Sequence, residues 1–253
     1  MGQPHMTVTR KDGAAIISLN RKVTNALNLE LVRELSANLR KLELDGDTHG
    51  VVVTSANEKF FSIGFDIPSL YDLPLEDFRK FYQTFNRTCM QLFSFPKPTI
   101  AAITGHAVAG GCILALCCDY RYIAEGNRKM GLNEIKLGVP IPYPADCILR
   151  VAVGFRTYRE VVDSGDFYLP DTLINMGIVD RVVPVDLLHT QAIEKILSFG
   201  EDAHTAFAMI KQNRVAPVLS GIQASLRIRE EYFLTCWYSK TTRQKLQQAM
   251  TKF

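Results

Sequence analysis

One carboxylate, Glu134, stands among leucine, isoleucine and glycine in the stretch GLNEIKLG, residues 131–138. On an open turn it is a solvated charge. Partly buried by Leu132, Ile135 and Leu137, it is pushed toward neutrality, where a carboxylate both takes and returns a proton. Two glycine-bearing stretches upstream could provide the matching receptor for negative charge. In FFSIGFDI, residues 60–67, a strand-like run enters Gly64 and leaves through Phe65 and Asp66. Glycine permits a positive φ there, which turns successive N–H groups toward one point. In GHAVAGGCILAL, residues 105–116, a strand, a glycine-containing loop and an apolar helix follow in order. The amides near Gly110 and Gly111 then point out of a helix start, toward an anion or a developing oxyanion. Each stretch also has a plainer reading, as a surface turn or as close packing that needs glycine. The spacing from Gly105 to Gly110 is that of a phosphate loop, but Gly111 occupies the position where that motif needs lysine, which disfavours a nucleoside triphosphate.

Positioning such groups takes a framework. AAIISLN (14–20) and GVVVTSA (50–56) are short β-branched runs beside turn residues, hence strands. Between them Leu31, Leu35, Leu39 and Leu42 recur at helical spacing behind Asn28, an N-cap. Residues 74–93 read as a helix, 97–104, 118–124 and 177–184 as strands, and a short helix starts near Gly110. This alternation implies an α/β core with crossover connections. After residue 184 the strands stop. Residues 185–200, 201–212 and 221–238 read as three amphipathic helices, the last with Ile222, Leu226, Phe233 and Trp237 on one stripe. Such a tail cannot bury all its faces against itself and is expected to pack on the core or on another subunit. The division is a core over residues 1–190 and a helical region over 191–253.

Composition narrows the function classes. The chain has 253 residues, 47% hydrophobic and 22% charged, with a net charge of +3, which suits a folded globular protein and gives no nucleic-acid footprint. Arg227, Arg229, Lys240, Arg243 and Lys245, interleaved with Glu230 and Glu231, read first as a solvated helix face and second as a site for a phosphate-bearing ligand. The six cysteines form no CxxC pair and no zinc-spaced cluster, so no metal is expected; Cys112, Cys117 and Cys118 read as small core side chains. This usage points to a reducing compartment, cytoplasmic or otherwise intracellular. No secretory h-region follows Met1, Met6 stands where myristoylation of Gly2 would need Ser or Thr, and the ending TKF is not a peroxisomal tripeptide. Residues 99–118 lack Asp, Glu, Lys and Arg over about the length of a membrane span, but their glycines and His106 favour a strand, a turn and a buried helix.

The order FFSIGFDI, PTIAAITGHAVAGGCILALCCDYRYIA, GLNEIKLGV, GIVDRVVP resembles the enoyl-CoA hydratase/isomerase (crotonase) superfamily, from about residue 7 to 190. NRKVTNALN, residues 20–28, is similar to that family's first substrate loop, and AGGCILALCCDYR with GLNEIKLG is nearest its Δ3,Δ2-enoyl-CoA isomerases. The resemblance implies a ββα spiral core with a C-terminal helical trimerisation region that covers the active site, assembled as a homotrimer or hexamer. It implies an acyl-CoA thioester as substrate, coenzyme A being part of that substrate rather than a separate cofactor. The backbone amides of Phe65 and Gly110 would form the oxyanion hole, where one donor is worth about 3–4 kcal/mol in other enzymes. Ala26, Leu27, Ser62, Ile63, Gly64, Asp66, Ile67 and Ile113 would line the substrate site.

The family's hydratases use two glutamates, and Glu134 matches only the second. Ile113 stands where the first would be. One carboxylate suffices to carry a proton from C2 to C4 of a dienolate, whereas adding water calls for more. Isomerisation of 3-enoyl-CoA to 2-enoyl-CoA is therefore the expectation. Hydration or another crotonase reaction, with Asp146 or Tyr143 as the second polar group, is one alternative. A non-catalytic acyl-CoA-binding or interaction module is the other.

Overall fold

The structure, a computed structural model, describes residues 4–200 and 204–251. Gly2, residues 201–203 of the second tail segment and the last two residues of TKF lie outside the described residues. The chain runs through β1 (Met6–Lys11), β2 (Ala14–Leu19), α1 (Leu29–Leu44), β3 (Gly50–Ser55), β4 (Phe60–Ser62), α2 (Ile67–Tyr71) and α3 (Leu75–Phe93). Next come β5 (Thr99–Ile103), β6 (His106–Val108), α4 (Gly110–Leu116), β7 (Tyr120–Ala124), β8 (Met130–Gly131), α5 (Glu134–Leu137) and α6 (Tyr143–Ser164). The remainder is β9 (Phe167–Tyr168), α7 (Pro170–Asn175), β10 (Arg181–Val183), α8 (Leu188–Leu197), α9 (His204–Trp237) and α10 (Lys240–Met250).

Successive strands belong to different sheets. β3, β5 and β7 lie side by side in a six-stranded sheet ordered β1-β2-β3-β5-β7-β10, while β4, β6 and β8 lie side by side in a four-stranded sheet closed by β9. Each turn of the chain thus lays one strand in each sheet and returns through a helix, which is the ββα spiral that the resemblance implies. Apart from the β1–β2 and β8–β9 pairs, neighbouring strands run parallel.

Parallel strands of this kind are covered on both faces, and β3 shows why its sequence reads as an unbroken β-branched run. Val51 and Val53 face the main core with Leu35, Phe81 and Phe85, whereas Val52 faces a second cluster in which Leu188, Ala192 and Ile196 of α8 cover the sheet. α1 begins as its spacing predicts: Asn28 Oδ1 accepts from the Leu31 amide at 3.0 Å, and Leu31, Val32, Leu35, Leu39 and Leu42 are buried. Residues 99–118 form β5, β6 and α4; among the described residues no helix is long and apolar enough to cross a membrane.

Three expectations are corrected. The loop expected after Gly105 is largely the strand β6, whose three residues bond to β4 and β8 and are too few to show a periodicity. The second and third tail helices, where described, are one helix, α9, which runs through Pro217. That proline is exposed, and so is Asn213 one turn back, whose carbonyl loses its helical donor. The charged scatter of the tail is only partly a solvated face. Glu230 is buried and accepts from Asn86 Nδ2 at 3.0 Å and Gln83 Nε2 at 3.1 Å. Glu231 pairs with Arg79, and Arg243 bonds to the Tyr71 carbonyl and lies over the Tyr71 ring.

Candidate active site

The two glycine-bearing stretches meet. Gly64, at φ +86°, turns the chain so closely against the start of α4 that a Cβ built there would stand 2.7 Å from the Gly110 amide nitrogen. A side chain at 64 would therefore fill the space in front of that amide. Ala109, just before α4, holds φ 48°, a conformation that costs a non-glycine residue about 1–3 kcal/mol. Its own amide is tied to the Gly131 carbonyl at 2.9 Å, which leaves the next amide, Gly110, at the open end of the helix. Neither the Phe65 nor the Gly110 amide donates to an acceptor among the described residues. Both main-chain donors thus stand near the Gly64 turn without an acceptor among the described residues, as an oxyanion hole would need. Gly111 has the plainer role, since a Cβ there would meet the Ser62 carbonyl at 2.2 Å.

The loop carrying Phe65 is clamped from two directions. The Leu27 amide donates to the Gly64 carbonyl at 2.7 Å, and the Asp66 amide donates to the Leu27 carbonyl at 2.9 Å. Arg21 spans the same two segments, with Nη1 on the Ala26 carbonyl at 2.8 Å and Nη2 on Asp66 Oδ2 at 2.6 Å. The Phe65 ring packs edge-on against Phe81 and Phe85 of α3, centroids 4.8 and 4.9 Å away.

Glu134 opens α5, one short turn after β8, and is buried. Above it the tail closes down: Thr242 of α10 donates its hydroxyl to the Gly138 carbonyl at 2.8 Å, pinning the end of α5. Burial raises the Glu134 carboxyl from its ordinary 4.5 to about 7, against a smaller opposing pull from the backbone amides of residues 134 and 133. Its Oε2 has no hydrogen-bond partner among the described residues, and the same holds for Asn133 Oδ1 and Trp237 Nε1. All three residues line one cavity of about 280 Å³. Buried polar atoms are rarely left unpaired, so three around one space mark a site shaped for polar atoms that the chain does not itself provide.

That cavity gathers most of the residues expected from the sequence. Ala26, Ile63, Phe65, Asp66, Ile67, Gly110, Ile113 and Glu134 line it. Leu27, Ser62 and Gly64 do not. Leu27 is wholly buried behind Phe65, Ser62 donates its hydroxyl to the Asn25 carbonyl at 2.8 Å, and Gly64 shapes the turn. Those three support the wall rather than form it. Asp146 and Tyr143 line a neighbouring cavity, where Asp146 Oδ2 pairs with Arg150 at 2.7 Å and Oδ1 accepts from the Tyr158 hydroxyl. Neither supplies a second polar group beside Glu134.

Sequence reasoning passed over Arg21, Asn133, Val139, Phe233 and Trp237, all of which line the cavity, as do Ala249 and Met250 of α10. Phe233 and Trp237 showed only as members of an apolar stripe, and Arg21 only as part of a quoted motif. Arg21 and Lys22 are the cations that line it; Arg227, Arg229, Lys240, Arg243 and Lys245 do not.

Comparison with known proteins identifies the family of this fold. The enoyl-CoA hydratase/isomerase family profile matches residues 9–253. Mitochondrial enoyl-CoA delta isomerase 1 of Mus musculus is 33% identical over 71% of this chain, the match spanning 63% of that protein, less than two thirds of its length. The short-chain-enoyl-CoA hydratase of Clostridium acetobutylicum is 31% identical over 97% of this chain and 93% of its own. The crystal structure of human mitochondrial delta3-delta2-enoyl-CoA isomerase superposes with a TM-score of 0.94 at 26% identity, covering 98% of this chain and 97% of that one. The paired amides, the buried carboxylate and the spiral that holds them are therefore those of a chain that belongs to the enoyl-CoA hydratase/isomerase family.

Proposed function

We propose that this chain acts on acyl-CoA thioesters and isomerises 3-enoyl-CoA to 2-enoyl-CoA. The thioester oxygen sits between the Phe65 and Gly110 amides, which strengthen their hold as it gains enolate charge. The Glu134 carboxylate removes a proton from C2, the double bond moves from C3–C4 to C2–C3 through the dienolate, and Glu134 returns the proton to C4. No water enters the balance. A carboxyl raised to about 7 suits both halves of that transfer.

The observation that carries this reading is the company Glu134 keeps. The other carboxylate lining the cavity, Asp66, is held by Arg21 at 2.6 Å, and the position facing Glu134 in the family's hydratase pattern is filled by Ile113, which is buried. Hydration, favoured by the similarity to the Clostridium enzyme, would need a second group to position water. An idle binding module would carry the cost of an unpaired buried carboxylate without using it. The test is a parallel assay. Given a 3-enoyl-CoA, the protein is expected to generate the absorbance of a conjugated thioester; given a 2-enoyl-CoA, it is expected to form little 3-hydroxyacyl-CoA. Faster hydration than isomerisation would reject the proposal.

A further inference from the structure

Phe233 and Val139 each face two cavities. On one side they line the reaction cavity beside Trp237; on the other they line a second cavity of about 610 Å³ between α6 and α9. Both are buried and together form the partition between the two spaces. It is also stiff. The Phe233 ring stacks on Tyr82 at 4.1 Å and 15°, and Trp237 stacks on Phe78 at 4.3 Å and 19°, which locks α9 aromatics to α3.

The two cavities differ in what they offer. The charged lining of the reaction cavity, apart from Glu134, is Asp66, next to Phe65, and Arg21 and Lys22 on the loop that clamps it. Phe233, Val139 and Trp237 form an apolar side from other elements, α9 and the segment after α5. An acyl tail leaving a thioester held at Phe65 and Gly110, with its α-carbon at Glu134, is matched in polarity by that apolar side. The second cavity is lined by Ile141 and Val162 as well as by the Asp146–Arg150 pair.

We infer that Phe233 and Val139 set the acyl-chain limit of this protein. A straight chain ends against their side chains, so the substrate class is short linear acyl-CoA, and the second cavity is the space that a longer chain enters once the partition is cut back. This rests on the thioester placement proposed above, though not on which reaction follows.

Calorimetric titration with saturated, unreactive butanoyl-, hexanoyl-, octanoyl-, decanoyl- and dodecanoyl-CoA tests it without turnover. The unaltered protein is expected to gain affinity by about fourfold per methylene up to a break and nothing beyond it. Phe233→Ala moves the break to longer chains. Val139→Ala, which leaves the aromatic stack whole and guards against a misfolded Phe233 variant, moves it less in the same direction. Adding Val162→Trp, which fills the second cavity, to either variant moves it back. A break at the same length in every variant, or no break in the unaltered protein, overturns the partition. Failure to bind any acyl-CoA overturns the thioester placement and the partition together. A movable break without isomerisation upholds the partition and rejects only the proposed reaction.

Discussion

Two largely hidden carboxylates in this molecule live opposite lives. Asp119, just before β7, is a half-buried residue whose side chain is 6% exposed, and Glu134 is a buried residue. Asp119 is saturated: Lys211 and Arg214 of α9 reach it at 2.6 Å each, and the Thr99 amide and hydroxyl donate at 3.0 and 2.9 Å. Glu134 has no cation, and one oxygen has no partner among the described residues. A buried charge that is fully paired is architecture, here the bolt between the tail helix and the central sheet. A buried carboxyl that is left unpaired raises its pKa instead and becomes available for chemistry.

The contrast is broken most severely by exchanging the two failures. Glu134→Gln, with nearly the same shape, is expected to lower isomerisation by about 10³-fold or more while acyl-CoA binding and folding persist. Asp119→Ala should do the reverse. It leaves Lys211 buried without its counter-charge and lowers unfolding stability by about 3–5 kcal/mol in a denaturant titration, with turnover per folded molecule preserved. Lys211→Met in that background should restore part of the loss. If Asp119→Ala abolished turnover in a stable protein, the separation of roles would be wrong.

Gly64→Ala comes next. Its methyl would crowd the Gly110 amide, so kcat is expected to fall by about 10²–10³-fold, as for the loss of one oxyanion donor, with the pH dependence set by Glu134 unchanged.

A smaller effect sharpens the comparison through stability. Below pH 4.5 the Glu134 carboxyl is protonated in folded and unfolded chains alike. As pH rises toward 7 the unfolded chain gives up that proton while the folded one keeps it, so the group's contribution to stability is lost across this window and is constant above it. Glu134→Gln has no such loss. Relative to the unaltered protein it should gain on the order of 3 kcal/mol between pH 4.5 and 7, read from paired unfolding curves. A gap that stays flat with pH would mean the carboxyl is solvated after all.

Much of this was legible in the sequence where the cause is local. The Asn28 cap, the leucine repeat of α1, the β-branched run of β3 and the positive φ of Gly64 each carry their reason within a few residues. What stayed hidden depends on distant chain. Glu134 lines a cavity that α10, pinned to the end of α5, helps to enclose, and no pattern near residue 134 announces that contact. Arg21 acts through Asp66, and Phe233 and Trp237 reach the cavity from the far end of α9, where they look like any core-facing aromatics. β6 and β8 are too short to show a period of two, and Pro217 reads as a breaker although an exposed helix face tolerates it. Ile113 is the reverse case, a single apolar residue whose meaning came from the family pattern and not from its own chemistry.

The most direct test of the central claim is a titration of Glu134 itself, by carbon-13 NMR of protein labelled at the glutamate side-chain carboxyls, compared with Glu134→Gln. The account predicts one glutamate carboxyl titrating near 7 that is missing from the variant. If every glutamate titrated below about 5, Glu134 would be an ordinary solvated acid and the proton-transfer role assigned to it would be contradicted.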